Sequence, residues 1–119
     1  MVSCIVVDDD ETILSVFCEL LKMLSVDVLS TAQNGFDAVK KYEQFKPDVV
    51  FLDLVMPEYD GFYTLEKISQ HDPNAKIIVV TGYLEQSESE LLNVFPVSEI
   101  IYKPFDINQI KNAITKALL

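Results

Sequence analysis

Six polar side chains stand where apolar runs end, and their types suit one chemistry. Asp8, Asp9 and Asp10 follow Cys4-Ile5-Val6-Val7, and Asp53 follows Val49-Val50-Phe51-Leu52. Thr81 follows Ile77-Ile78-Val79-Val80, and Lys103 follows Ile100-Ile101-Tyr102. If the runs are strands of one sheet, these residues gather in a crevice along its edge, where open α/β sheets bind ligands. Carboxylates gathered this way repel, by roughly 4 kcal/mol for a pair about 4 Å apart at an effective dielectric of about 20. One ammonium cannot offset three acids, so the site either raises carboxylate pKa values or holds a divalent cation. The donors are hard oxygens without His or Cys, which selects Mg²⁺, Mn²⁺ or Ca²⁺ over zinc or copper. Few carboxylates with room for water suit Mg²⁺, whose usual role is to bridge protein and phosphate oxygens. Thr81 and Lys103 supply donors for the remaining phosphoryl oxygens. Asp10 stands apart: an Asp before Glu11-Thr12-Ile13 reads as a helix N-cap.

The elements that must position these groups are legible in the hydrophobic pattern. The four runs are rich in β-branched residues and lack polar alternation, as expected of strands covered on both faces. Val26-Asp27-Val28-Leu29 is mixed and reads as an edge strand. Helical stripes lie between: Ile13, Phe17, Leu20 and Leu24 beside Leu14 and Leu21; Phe36, Val39 and Tyr42; Phe62, Leu65 and Ile68; Ile107, Ile110, Ile114 and Ala117. Asp106, with Gln109 three positions on, opens the last as a capping box. A fourth helix, about Leu84 to Asn93, has the weakest pattern and stops before Pro96. Asn34-Gly35, Lys46-Pro47-Asp48, Asp60-Gly61 and Asp72-Pro73-Asn74 mark turns. Five β–α units in a row predict an α/β fold, a parallel sheet between helices with right-handed crossovers.

The chain has 119 residues, enough for one domain (1–119) with its own core. Half of it is apolar, which excludes disorder despite a net charge of −10. No apolar run approaches a membrane span, and no secretory-signal pattern opens the chain. With 19 acidic against 9 basic residues and no basic cluster, direct nucleic-acid binding is not expected. Cys4 and Cys18 form neither a disulfide framework nor a zinc site and read as buried thiols of a reducing, cytoplasmic compartment. His71 reads as an exposed residue, and Met23 and Met56 as core or loop filler.

Taken together, Val6-Val7-Asp8-Asp9-Asp10, Phe51-Leu52-Asp53-Leu54-Val55-Met56-Pro57, Asp60-Gly61-Phe62, Val79-Val80-Thr81-Gly82 and Tyr102-Lys103-Pro104-Phe105 resemble the receiver domain of two-component response regulators. The likeness runs along the whole chain. It implies a single doubly wound, flavodoxin-like (βα)5 fold with strand order 2-1-3-4-5. It further implies phosphoryl acceptance on Asp53, with Mg²⁺ (or Mn²⁺) held by Asp9, by Asp8 mainly through water, by Asp53 and by the backbone carbonyl of Val55. Lys103 would pair with a phosphoryl oxygen and the acceptor carboxylate, and Thr81 with the transferred group, Gly82 offering a nearby N–H. The Lys103–Pro104 bond is often cis in this family. The implied donor is a sensor histidine kinase or phosphotransfer protein. The implied output is a switched surface of helix four, strand five and helix five that controls a downstream protein, with a homodimer through that surface as an option. A receiver catalyses its own phosphorylation and dephosphorylation and is not a multiple-turnover enzyme. The chain is expected to be a stand-alone receiver.

Two positions depart from the family pattern. Ile100 occupies the place of an aromatic rotamer switch, and a β-branched aliphatic has no ring to swing toward Thr81. Switching is therefore expected to rest on loop and helix movement, or on Tyr102 or Tyr83. Val55 and Tyr83 occupy positions that tune acyl-phosphate lifetime. Neither orients water, so slow dephosphorylation is expected, with Tyr83 as a shield. Glu85, Glu88 and Glu90 make helix four acidic, most simply a solvated face. A haloacid-dehalogenase-type phosphatase would need an Asp two residues after its nucleophile, where Asp53 is followed by Val55. A flavodoxin would need a Ser/Thr/Gly-rich phosphate loop in place of Asp8-Asp9-Asp10-Glu11.

Overall fold

The computed structural model describes residues 1–56 and 60–119; Pro57, which belongs to one of the motifs, lies outside the described residues. The order is β1 (Ser3–Val7), α1 (Glu11–Met23), β2 (Asp27–Ala32), α2 (Gly35–Phe45), β3 (Val49–Asp53), α3 (Gly61–His71), β4 (Ile77–Thr81), α4 (Gln86–Leu92), β5 (Val97–Tyr102) and α5 (Ile107–Ala117). All strand pairs are parallel and the sheet order is β2-β1-β3-β4-β5. The fold is thus the five-stranded, flavodoxin-like arrangement expected from the sequence.

Strand alternation splits the core in two. Cys4, Val6, Val49, Phe51, Ile78, Val80 and Ile101 face α1 and α5, meeting Phe17, Leu21 and Ile110. Ile5, Val7, Val50, Leu52, Ile77 and Val79 face the other layer, meeting Ala38, Tyr42, Leu65, Ile68 and Leu92. Because β1, β3 and β4 lie inside the sheet, both faces of each are covered, which is why their runs carry no polar alternation. β5 behaves differently from its expectation. Only Ile101 is buried in the run, while Ile100 is 36% and Tyr102 49% exposed, because β5 has a neighbour on one side alone.

Helix faces also shift from the predicted stripes. α2 buries Gly35, Ala38 and Tyr42 and leaves Phe36 outside, where the Lys40 ammonium sits 4.7 Å from its ring centroid. Met23 is 72% exposed, not filler, whereas Met56 is buried. The caps match their local signals. Asp10 accepts from the N–H groups of Thr12 and Ile13, Asn34 from Asp37, and Asp60 from Tyr63. Asp106 and Gln109 satisfy one another reciprocally. Cys4 is buried, which together with Cys18 and Asp27 pushes its thiol up to about 12. Burial likewise raises the partly buried Cys18 thiol, so neither is an activated nucleophile.

Candidate functional site

Each central strand turns polar at its last residue or just beyond it. Val7 and Leu52 are buried among apolar groups, and one residue later Asp8 and Asp53 are equally buried but charged. The register aligns Val7 with Leu52 and Asp53 with Val80, so the two carboxylates rise side by side from neighbouring strands. Thr81 follows on β4, in register with Tyr102, and its carbonyl accepts from the Lys103 N–H at 2.8 Å. Packing steadies the Lys103 loop: the Phe105 ring lies edge-on to Phe17 at 5.1 Å, and Phe17 lies 4.9 Å from Phe51 of β3. The Lys103–Pro104 peptide is cis.

Lys103 Nζ lies 3.2 Å from Asp8 Oδ2 and 3.7 Å from Asp53 Oδ2. Asp8 also accepts from the Asp10 N–H at 2.9 Å, and Asp53 Oδ1 from the Val55 N–H at 3.2 Å. Asp9 is exposed, and no protein donor meets its carboxylate among the described residues. Oxygens of Asp8, Asp9 and Asp53 all lie within 4.8 Å of one another. Burial is the largest cause raising the Asp53 carboxyl to about 6; Asp8 and Asp9 add to it, and Lys103 and the Val55 N–H oppose it. The single cation has not balanced the acids.

A hard divalent ion fits that imbalance. The donors converge, all are oxygen, and they carry excess negative charge that a cation would relieve. Thr81, almost fully buried, directs its Oγ1 to the Tyr83 carbonyl at 3.5 Å, a long contact that leaves the hydroxyl free to be recruited. Tyr83 itself is 74% exposed. A Cβ built on Gly82 would meet nothing within 4 Å, so space is open around its backbone. The structure thus brings Asp8, Asp9, Asp53, Thr81 and Lys103 to one crevice and leaves Ile100 partly and Tyr83 largely exposed to solvent. Two supports had no signal in the sequence: the Asp10 N–H on Asp8 and the Val55 N–H on Asp53 are backbone contacts made by loop geometry.

Gly61 fixes the far wall of the crevice. Its N–H donates to the Leu54 carbonyl at 3.0 Å, and a Cβ there would lie 2.4 Å from Leu54 Cα and 2.8 Å from the Asp53 carbonyl oxygen.

A family model described as the response regulator receiver domain matches residues 4–115. The chain is 34% identical over 117 residues to the chemotaxis protein CheY of Listeria monocytogenes, covering 98% of each. It is 31% identical over 111 residues to the response regulator protein VraR of Staphylococcus saprophyticus, covering 92% of this chain and 53% of that one. Among solved structures, a LuxR-family DNA-binding response regulator from Staphylococcus aureus superposes with a TM-score of 0.91 at 29% identity, covering 98% of each chain. The CheX–CheY–BeF3–Mg²⁺ complex from Borrelia burgdorferi superposes with a TM-score of 0.93, covering 99% of this chain and 90% of that one; at 23% identity it supports the fold. A likeness that runs through the phosphorelay proteins and spans nearly every residue leaves one conclusion: the chain belongs to the response regulator receiver domain family, a signalling domain and not a classical enzyme.

Proposed function

We propose that residues 1–119 form one receiver domain whose phosphoryl acceptor is Asp53, with Asp8 and Asp9 as the other metal-binding carboxylates. The observation that carries this reading is the convergence of three carboxylates with one ammonium at the end of the sheet. An Asp53 oxygen attacks phosphorus as the bond to the leaving imidazole nitrogen of a donor phosphohistidine breaks. The imidazole keeps the electron pair and Asp53 becomes an acyl phosphate. Lys103, already beside Asp53, stabilises charge on the transferred oxygens, and Thr81 turns from the Tyr83 carbonyl to donate to the new acceptor. A bound Mg²⁺ or Mn²⁺ would supply further charge neutralisation and orientation, with Asp8, Asp9, Asp53 and the Val55 carbonyl as its protein ligands.

The donor is a histidine kinase or phosphotransfer protein in the cytoplasm, and the output is a population shift of the α4–β5–α5 surface toward a protein target. Ile100 does not carry this switch by ring rotation; the loop after Thr81 does, together with Tyr102, which stands in register beside Thr81. Two copies would meet through the same surface only if the shift overcomes their shared negative charge.

The test is incubation with a small acyl or amido phosphate plus Mg²⁺ and measurement of intact mass. Wild type gains one phosphoryl adduct and Asp53→Asn gains none; an undiminished adduct on Asp53→Asn overturns the assignment. Tyr83 shields the product in this reading. Tyr83→Ala should therefore shorten the acyl-phosphate lifetime roughly threefold, of the order expected for loss of a contact worth about 0.7 kcal/mol. An unchanged phosphate-release time course would refute the shield.

A further inference from the structure

The sheet has two edges, and among the described residues a side chain caps an outward backbone group of one of them, β2. At β2, the Asp8 N–H donates to the Ala32 carbonyl at 3.0 Å, so Ala32 faces β1 and the carbonyl of Thr31 faces outward. The Lys41 ammonium reaches across from α2 and donates to that carbonyl. Lysine on an edge is a common way to blunt strand pairing. At β5, the Lys103 N–H donates to the Thr81 carbonyl. Strand alternation then turns the N–H and C=O of both Tyr102 and Ile100 away from β4, and among the described residues no side chain caps them. No Lys or Pro interrupts Val97–Tyr102.

Grooves flank this open edge on both sides. One, of about 570 Å³, lies toward α4 and is lined by Leu92, Phe95, Val97, Ile100 and Tyr102. The other, of about 250 Å³, lies toward α5 and includes Gln109, Asn112, Ala113 and Lys116. An added strand sends alternate side chains to opposite faces, so both grooves would be filled by one extended segment.

We infer that the β5 edge is a strand-addition site for an extended segment of a partner protein, apolar and cationic toward α4 and uncharged polar toward α5. The charges select this occupant. Glu99 lines both grooves, α4 carries Glu88 and Glu90 behind its cap Glu85, and no basic residue occurs from Thr81 to Tyr102. A second copy fits poorly. Antiparallel β5–β5 pairing about an axis normal to the sheet would bring α4 against α4, stacking glutamates on glutamates, with −10 on each chain.

The probe is a capped peptide in which threonine alternates with valine and lysine, titrated into the full chain and followed by amide hydrogen exchange and NMR shifts. Exchange at Ile100 and Tyr102 should slow by about tenfold or more, as for newly paired edge amides. A twin N-methylated along one edge, and a twin with glutamate for lysine, should give no such protection. Glu85→Gln/Glu88→Gln/Glu90→Gln should weaken binding by roughly tenfold at low salt, and Glu19→Gln/Glu66→Gln should leave it unchanged. Equal binding of the N-methylated twin, shifts on α4 without protection of Ile100 and Tyr102, or protection that appears with protein concentration alone would overturn the inference. Run on Asp53→Asn protein as well, the peptide experiment stands apart from phosphoryl acceptance, and either can fail without the other.

Discussion

At the amino end of the sheet, acids are matched with donors: Asp48 receives the Ser3 N–H and hydroxyl, Asp72 the Tyr42 hydroxyl at 2.7 Å, and Glu43 lies 2.6 Å from His71 Nε2. At the carboxyl end, Asp8 and Asp53 share one ammonium and Asp9 has no protein donor among the described residues. The chain can satisfy acids locally when stability is all that matters. Where it leaves them in surplus, the proposed function gives that surplus a use, as a binding capacity for a cation and a phosphoryl group.

Three experiments sharpen that contrast. The largest effect is expected from removing divalent cations. Chelation should slow phosphoryl incorporation by on the order of a hundredfold, the scale of losing a main electrostatic stabiliser, and Mg²⁺ or Mn²⁺ should restore it. Full-rate incorporation in excess chelator would mean that the surplus carboxylates serve no cation.

Next in size is a stability effect read without metal. The Asp53 carboxyl rises from 3.8 to about 6 on folding, so the folded chain binds this proton more tightly than the unfolded chain does. The destabilisation is fully present above pH 6 and is relieved as pH falls from about 6 toward 4. Asp53→Asn should therefore stabilise the metal-free protein at pH 7 by about 3 kcal/mol at most, with the gain shrinking toward pH 4, as followed by urea unfolding. A gain that grows on acidification would reverse the assigned cause.

The smallest effect belongs to the matched end. Asp48→Ala should cost about 1 kcal/mol, the scale of its lost hydrogen bonds, and leave the phosphorylation rate unchanged.

Much of this arrangement was readable from residue order. Continuous apolar runs specify buried strands whatever their partners, and an acid, hydroxyl or ammonium placed at each run's end must emerge where strands end. Local signals were equally reliable at Asp10 and Asp106, since an N-cap needs only its own next turn. What escaped depends on distant neighbours. Ile100 and Tyr102 have the composition of a covered strand, yet strand order puts them on an edge. Phe36 fits a helical stripe with Val39 and Tyr42, but the sheet accepts the Ala38 side, where the helix comes closest. The Lys41 cap on Thr31 joins two elements through space and leaves no periodic trace.

Gly61 has no functional group, yet the aim of the site depends on it. Its latch to Leu54 ties the start of α3 to the end of β3, and a hydrogen on its Cα is free to sit in the narrow gap between them. A methyl group at position 61 has no such freedom: it would lever the main chain of Asp53 and Leu54 off its seat and shift the Asp53 carboxylate with it. The glycine works as a fulcrum, and its smallness is what keeps the Asp53 main chain where it is.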